Sequence, residues 1–290
     1  MKYLFFVFFL VNSIILTAQN QTDISLFLKT DSSKYLSEVS SEDGDLFSRL
    51  GHHGPAVENE WLGFRFYFDK RVAIDVYSKQ KRGLELKKAK WYPTPAQQKE
   101  GWGADYYKAG NTVGLGGIRL WDGEKAIFLN PVAKRTAKVT KEGITSCMEL
   151  LSEDIPYKGR KVDILVRLTV FSGVREAKVE VFALCDEPVQ FVTGINYHPG
   201  QTVKTADNYI ITWGLHPEDV AADKVEIGAA ILFDPEKFEN SLDDGNQKLL
   251  ISNPAKKLEY WITSASEKEQ EINSLMKFER LIKDLIHQEN

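Results

Sequence analysis

The sequence predicts an all-β fold, a large antiparallel β-sandwich of the super-sandwich kind with one amphipathic helix at its C-terminus. Apolar and polar residues alternate with a period of two across most of the chain. Turn residues such as Asp122-Gly123 and Ser172-Gly173 separate these alternating runs at short intervals. Many short strands with no helical pattern between them are typical of antiparallel sandwiches.

Residues 1–18 have the layout of a secretory signal peptide. Met1-Lys2 is positively charged, residues 3–16 are almost all apolar, and Ala18 offers a small residue for cleavage. A membrane anchor is the alternative, but an apolar run of roughly 14 residues is shorter than the ~20 that span a bilayer. We therefore expect a periplasmic or secreted protein in which residues 19–290 form a single catalytic domain without membrane contact.

The composition argues against nucleic acid as a partner. The net charge is −4 and the chain has no basic block, so a footprint for a phosphate backbone is missing. Cys147 and Cys185 both lie in strand-like segments, which leaves two possibilities, buried thiols or one disulfide. The sequence does not specify an oligomeric state.

The alternating segments predict most of the sheet. Strands are expected over residues 63–69, 71–79, 113–121, 125–129, 134–140, 144–151, 161–171, 177–185, 189–197, 209–213, 225–233, 248–251 and 258–263. Between them, residues 87–110 are rich in Trp, Tyr, Pro and Gly, and we interpret this segment as a binding loop. The glycines at 114, 116 and 117 lack the strand–helix setting of a dinucleotide fingerprint and instead predict close strand packing or a bulge.

The C-terminal helix is predicted from its start signal and its spacing. Ser266 and Glu269 are placed as a capping box, and apolar residues recur at helical spacing from Ile272 to Ile286. We expect this helix to pack on the sheet.

The hairpin over residues 63–79 has two faces of different chemistry. One face is apolar and is predicted to be buried, with Phe64, Phe66, Phe68, Val72, Ile74 and Val76. The opposite face carries Arg65, Tyr67, Asp69, Asp75, Tyr77 and Lys79. A structural interpretation is a cross-strand Arg65–Asp75 pair flanked by tyrosines. A functional interpretation is a concave floor for an anionic sugar, where arginine binds a carboxylate and tyrosines stack or donate.

Histidines occur at four further places, of which His287 on the final helix is expected on the surface. His52 and His53 are adjacent, so they point to opposite sides and one of them can enter the same cleft; the segment shows too few ligands for a metal. His198 ends a long strand beside Pro199. His216, which precedes a proline, is expected on the surface.

Residues 51–122 resemble a known domain family in the order and spacing of their motifs. The segments are HGPAVENEW, FRFYFD, AIDVYSK, GWGADYYKAGN and GLGGIRLWDG. The family was long catalogued without a function, is common in polysaccharide-utilisation gene clusters of Bacteroidota, and includes an oligosaccharide dehydratase of ulvan degradation. The resemblance implies action on glucuronic or iduronic acid at the non-reducing end, next to sulfated rhamnose, which leaves a 4,5-unsaturated uronic acid.

Elimination of water across C4 and C5 requires a cation on the carboxylate, a base for the C5 proton and an acid for the leaving hydroxyl. Arg65 with Lys79 is predicted as the carboxylate clamp. The base is predicted to be His53 or His198, because an imidazole titrates near neutral pH. The acid is predicted among the phenols Tyr67, Tyr77 and Tyr107.

Other side chains are assigned supporting roles in the same scheme, which needs no metal and no cofactor; a divalent cation in place of Arg65 is the alternative. Asp75 and Asp105 are predicted to orient the basic groups. Sugar hydroxyls or sulfate are assigned to Asn59, Asn111 and Arg119. Stacking platforms for the sugar rings are assigned to Trp102 and Trp121.

Three rival functions fit the same residues. A polysaccharide lyase uses the same acid and base but expels a glycosidic oxygen. A non-catalytic carbohydrate-binding protein would use the aromatic residues alone. An epimerase or mutarotase on a related sandwich would leave the mass of its substrate unchanged.

Overall fold

The computed structural model describes residues 21–217, 221 and 223–288, most of which form or connect antiparallel strands. The predicted signal peptide, residues 1–18, lies outside these residues. Within the described ranges, no helix has the length and apolarity needed to cross a membrane. The strands are β1 (Thr22–Ser25), β2 (Glu38–Ser41), β3 (Ala56–Asn59), β4 (Leu62–Phe66), β5 (Ile74–Ser78), β6 (Arg119–Trp121), β7 (Ala126–Ile127), β8 (Lys134–Glu142), β9 (Thr145–Tyr157), β10 (Arg160–Phe171), β11 (Ala177–Ala183), β12 (Phe191–Asn196), β13 (Thr202–Ala206), β14 (Tyr209–Leu215), β15 (Glu226–Leu232), β16 (Phe238–Asp243), β17 (Gln247–Ser252) and β18 (Lys257–Ser266). The helices are α1 (Leu86–Ala89), α2 (Pro95–Lys99) and α3 (Leu275–Gln288).

The strands form three sheets, which confirms the all-β sandwich-like prediction. The large sheet has the order β13-β14-β15-β18-β11-β10-β9-β8-β2, and the two smaller sheets have the orders β1-β3-β4-β5 and β16-β17-β12-β6-β7. The four-stranded sheet packs on β8, β9, β10 and β18 of the large sheet, and the five-stranded sheet packs on β15. The two smaller sheets thus form one layer against the large sheet.

The core lies between these layers and uses the apolar face of the β4–β5 hairpin. The side chains on this face are fully buried, as the alternation predicted. They belong to one apolar cluster with alternate residues of the large sheet: Phe64, Phe66, Ile74 and Val76 with Val166, Leu168, Val179 and Val181. Burial of such side chains is the main favourable term in folding.

A tight turn at Gly114 joins the two smaller sheets. Leu115 N–H donates to the Ile74 carbonyl at 3.0 Å, and Gly116 N–H donates to the Gly194 carbonyl at 2.8 Å, so the segment bridges β5 and β12. Gly114 has φ +65°, and a Cβ there would lie 2.0 Å from the Ile74 carbonyl oxygen. This is the close packing that the glycine run predicted, although only residues 119–121 of the predicted 113–121 strand are extended.

Helix α3 packs on the large sheet, but the predicted capping box is wrong. β18 continues to Ser266, and α3 begins at Leu275. The Glu269 carboxylate forms a buried ion pair with Arg175 instead of capping the helix. Phe278 and Ile282 of α3 are buried against the face of β14, β15 and β18 that points away from the smaller sheets.

Cys147 and Cys185 are free and partly exposed, so the disulfide alternative is not realised. Cys147 pairs with Thr169 of β10, and Cys185 follows Ala183, which pairs with Ile164. The two thiols are therefore separated by at least the length of five β residues, about 17 Å. A disulfide needs Cα atoms about 6 Å apart.

We predict that Gly114→Ala lowers the free energy of unfolding by about 3 kcal/mol or more, because it combines a left-handed backbone with a backbone clash. Gly110→Ala is the matched control: it has φ +59° but open space around its Cβ position. The control should lose only the left-handed strain, about 1–2 kcal/mol. Urea denaturation measures both, and equal losses would contradict the close approach at Gly114.

Candidate functional site

The polar face of the β4–β5 hairpin is buried, so it does not form the predicted concave floor. Arg65, Tyr67, Asp75, Tyr77 and Lys79 are each less than a tenth exposed. The segment over residues 85–107 folds across this face. Leu86, Ala89 and Trp91 pack on Tyr77 and Ala56 there, with Trp102 partly buried against the same cluster. The segment we interpreted as a binding loop is thus a cover over the hairpin.

Arg65 is the centre of the polar group beneath this cover. Its Nε and Nη2 atoms donate to Asp75 Oδ2 at 3.0 and 2.5 Å, and Nη2 also donates to Asp105 Oδ2 at 3.0 Å. The Trp91 indole N–H donates to the same Asp105 oxygen at 3.0 Å, and the guanidinium lies 4.4 Å above the Trp91 ring. Burial by itself would lower the pKa of Arg65, but Asp75 and Asp105 outweigh it and raise that pKa. The guanidinium therefore stays charged, and carboxylates of the protein itself balance its charge.

Two phenols take their positions from this group. The Tyr67 hydroxyl donates to Asp75 Oδ2 at 2.8 Å, and the Tyr92 hydroxyl oxygen accepts from Arg65 Nη1 at 2.7 Å. Burial raises the pKa of both phenols above 10, so both remain protonated at neutral pH. Tyr92 is 37% exposed. Because its oxygen accepts from Arg65, its own hydrogen is directed away from Arg65 and can serve a ligand.

His53 lies beside these phenols as a neutral base. Its ring is stacked on Phe47 at 3.9 Å, and its Nδ1 lies 2.8 Å from the Phe47 carbonyl oxygen. A carbonyl can only accept, so Nδ1 carries the hydrogen and Nε2 has the basic lone pair. Within the described ranges Nε2 has no hydrogen-bond partner. Burial, together with the nearby charges of Arg65, Lys29 and Arg71, lowers the pKa of His53 to about 4.

The backbone around His53 explains its location. His52 and His53 have φ 57° and 64°, so the chain turns sharply after Leu50. Gly54 then lies against β4 so closely that a Cβ would be 1.9 Å from the Phe66 carbonyl oxygen. This turn directs His52 inward, where its Nε2 is 2.7 Å from Ser25 Oγ. It leaves His53 half-buried, with ring centroids 6.3 Å from Tyr92 and 6.4 Å from Tyr67.

Sequence reasoning missed four residues of this group: Phe47, Arg71, Trp91 and Tyr92. Arg71 lies in the turn of the hairpin, with its guanidinium carbon 4.4 Å from the Phe47 centroid and 4.5 Å from the Tyr67 centroid. Trp91 and Tyr92 lie within the aromatic segment that the sequence singled out. Its composition was the available signal, although nothing in it indicated contact with Arg65.

Tyr107, His198 and His216 form a second group. The His216 ring lies 4.5 Å from Tyr107 and 4.6 Å from His198. His198 Nε2 is 3.1 Å from the Lys108 carbonyl oxygen, and His216 Nδ1 accepts from the Lys108 N–H at 3.1 Å. His216 is buried, which corrects its predicted surface position, and burial lowers its pKa to about 3. Burial raises the pKa of Tyr107, and the charge of Asp75 raises it further.

Lys79 and Tyr77 are not part of either group, so the predicted clamp of Arg65 with Lys79 is not formed. Lys79 Nζ donates to Glu58 Oε2 at 2.5 Å and to the carbonyls of Asn59 and Gly83 at 2.5 and 2.6 Å. The Tyr77 hydroxyl donates to Glu85 at 2.7 Å. The Tyr77 contact fastens the cover segment to the hairpin. Lys79 is linked to that segment through Glu58, whose carboxylate accepts from the N–H groups of Glu85 and Leu86.

The predicted sugar-binding residues lie apart from one another. Asn59 is buried and closes a turn by accepting from the backbone of Trp61 and Leu62. The Arg119 guanidinium is buried and donates to the carbonyls of Arg71, Ile118 and Thr112. Burial lowers the pKa of Arg119 to about 9.

Asn111 and Trp121 are also separate from the Arg65 group. Asn111 is exposed in a turn, and Trp121 is partly buried against the cluster around Val192.

Two open grooves of about 880 and 680 Å³ lie elsewhere, around Phe233 and Pro235, and none of the site residues named above lines them. In the described ranges, no three His, Cys, Asp or Glu side chains are grouped as metal ligands.

Residues 18–289 match the family described as Domain of unknown function (DUF4861). The chain belongs to the DUF4861 family. Comparison of this DUF4861 chain with proteins of curated function found no match. One similar solved structure is the 4-alpha-glucanotransferase from Thermococcus litoralis, at 10% identity and TM-score 0.36 over 73% of this chain and 37% of that enzyme. Another is a putative aldose 1-epimerase from Klebsiella pneumoniae, at 8% identity and TM-score 0.39 over 84% of this chain and 91% of that protein.

We predict that Lys79→Met lowers the free energy of unfolding of this DUF4861 chain by about 3–5 kcal/mol, because it leaves the Glu58 carboxylate buried without its cation. Lys79→Met combined with Glu58→Gln should recover part of this loss. Lys87→Met is the control: its pair with Asp23 spans 2.8 Å but is half exposed, and its loss should be under about 1 kcal/mol. Similar losses for Lys79 and Lys87 in urea denaturation would refute the structural role of Lys79.

Proposed function

We propose that the chain is an exported oligosaccharide dehydratase that eliminates water from a uronic acid at a non-reducing end. The observation that carries the proposal is the pairing of His53, a neutral imidazole with a free basic nitrogen, with the protonated phenol of Tyr92, 6.3 Å away between ring centroids. The family resemblance supplies the substrate class, an ulvan-derived oligosaccharide with glucuronic or iduronic acid next to sulfated rhamnose. The signal-like residues 1–18 support export to the periplasm.

In this scheme His53 acts as the general base. Its Nε2 takes the proton from C5, and the electron pair of the C5–H bond forms the C4–C5 double bond while the C4–O bond breaks. The Phe47 carbonyl holds the Nδ1 hydrogen throughout and stabilises the imidazolium that forms. A general base in such a position contributes typically about 10²–10⁴-fold to the rate.

Tyr92 acts as the general acid in the same step. It donates its proton to the departing 4-hydroxyl, which leaves as water, and the Arg65 N–H that its oxygen accepts stabilises the resulting phenolate. Proton exchange with solvent then restores Tyr92 and His53. Tyr67 is nearly buried and donates to Asp75, so it orients the group instead of meeting the sugar.

The mass of the product tests the reaction. A uronic-ended oligosaccharide incubated with the protein should yield a product lighter by one water, with no shortening of the chain and with new ultraviolet absorbance. A lyase would shorten the substrate, an epimerase would leave its mass unchanged, and a binding protein would give no product. Any of these three results would overturn the proposal.

Variants of the two proton-transfer residues test their roles. His53→Gln should reduce turnover by about 10²-fold or more, and Tyr92→Phe should have a similar effect because it removes only the hydroxyl. The controls are His198→Gln, for the other histidine considered as base, and Tyr35→Phe, for a phenol that is 38% exposed. If His53→Gln keeps full activity and His198→Gln loses it, the base is His198 of the second group and not His53.

The dependence of turnover on pH should show a low-pH limb near 4. His53 acts in its neutral form, and its lowered pKa keeps it neutral down to about pH 4. The rate should therefore be constant through neutral and mildly acidic pH and should fall as the pH falls through that value. A limb near 6.5, the ordinary value for histidine, would show that the base is an unburied imidazole and not His53.

A further inference from the structure

We infer that Arg71, and not Arg65, binds the carboxylate of the substrate, an inference that rests on the proposed function. The carboxylate of a uronic acid is attached to C5, the carbon that loses its proton. Its receptor must therefore be a cation beside the base that has hydrogen-bond donors to spare.

The three buried cations of the hairpin region do not meet this requirement. Arg65 is 3% exposed and is shared between Asp75, Asp105 and Tyr92. Lys79 is 2% exposed and bound to Glu58. Arg119 is 5% exposed, with its guanidinium on three backbone carbonyls.

Arg71 differs from them in exposure and in unused donors. Its side chain is 16% exposed. Nε and Nη2 donate to Asp69, and Nη1 donates to the Gly110 carbonyl at 3.0 Å. Arginine has five N–H donors, so these contacts leave two for a ligand. A guanidinium is also the side chain best suited to a planar carboxylate.

The position of Arg71 fits the proposed chemistry. Phe47 contacts both residues, with the His53 ring at 3.9 Å and the Arg71 guanidinium carbon at 4.4 Å. The stacking of Arg71 on Phe47 and Tyr67 fixes a long side chain that would otherwise lose rotamer freedom on binding. The exposed Lys29 adds a second positive charge near His53. An anionic sugar ring against His53 would therefore have its carboxylate in a positive environment, although the whole chain carries a net charge of −4.

Asp69 makes the inference testable, because its negative charge offsets that of Arg71 and repels the carboxylate of the substrate. Removal of the arginine should weaken binding of a carboxylate, whereas removal of the charge on Asp69 should strengthen it. A purely structural Asp69–Arg71 pair would give losses from both changes or no effect from either.

The experiment is calorimetric titration at neutral pH with methyl β-D-glucopyranosiduronate, and with methyl β-D-glucopyranoside as the uncharged probe. All variants carry His53→Gln so that no turnover occurs. Arg71→Met should weaken binding of the uronate by roughly tenfold or more, the effect of one charge-assisted contact, and should leave the glucoside unchanged. The affinity of Arg71→Lys for the uronate should lie between those of the parent protein and Arg71→Met. Asp69→Asn should bind the uronate more tightly than the parent protein does.

Arg82→Met is the matched control, since Arg82 also stacks on an aromatic ring, Trp61 at 4.9 Å, and pairs with a carboxylate, Glu271 at 2.6 Å. It should leave the binding of both probes unchanged. If Arg71→Met does not fold, Asp69→Asn/Arg71→Met is compared with Asp69→Asn, and the double variant should bind the uronate more weakly.

The inference is overturned if the parent protein does not prefer the uronate over the glucoside, or if Arg71→Met and Asp69→Asn change uronate affinity in the same direction. These outcomes are independent of turnover. Selective, Arg71-dependent binding without a product lighter by one water would leave the inference standing and overturn the dehydratase proposal instead.

Discussion

The buried guanidinium of Arg65, held between the carboxylates of Asp75 and Asp105, is the interaction on which the site depends. A charge in a protein interior is costly unless it is paired and hydrogen-bonded. Asp75 comes from the neighbouring strand and Asp105 from the cover segment, so the pairing of Arg65 also fastens the cover onto the hairpin. Trp91 reinforces this by donating to Asp105 and stacking on the guanidinium. Hydrogen bonds to Asp75 and Arg65 of the same ion group then fix the hydroxyls of Tyr67 and Tyr92.

This arrangement divides the cations of the region into two kinds. Arg65, Lys79 and Arg119 are buried and bind groups of the protein, so they stabilise the fold around the site. Arg71 and Lys29 are partly or fully exposed near His53 and give the outer side of the site its positive charge. A neutral base beside exposed cations suits an anionic substrate, because burial and the cations lower the pKa of His53 and the cations also attract the sugar acid.

The apolar face of the hairpin and the packing of the final helix could be predicted from the sequence, because both follow from the spacing of apolar residues alone. The burial of the polar face of the hairpin could not be predicted from the sequence. Arg65 and Lys79 look equivalent in a period-two pattern, but their partners come from different places. Asp105 lies in the cover segment, which folds back onto the hairpin, and Glu58 lies in β3. His216 was assigned to the surface for the same reason, since its burial depends on Tyr107 and Lys108 from that segment. Ser266 and Glu269 matched a local capping pattern, but the tertiary ion pair with Arg175 prevailed over it.

The central claim is that Arg65 holds the site together and does not bind the ligand, because it stays paired with Asp75 and Asp105. The most direct test is a ¹⁵N spectrum of the arginine side chains, recorded with and without methyl β-D-glucopyranosiduronate. We expect that the Arg65 guanidinium protons exchange slowly with solvent and keep their chemical shifts when the sugar is added, while the Arg71 signals move. Rapid exchange of the Arg65 protons, or a large shift of its signals with an unchanged Arg71, would contradict it.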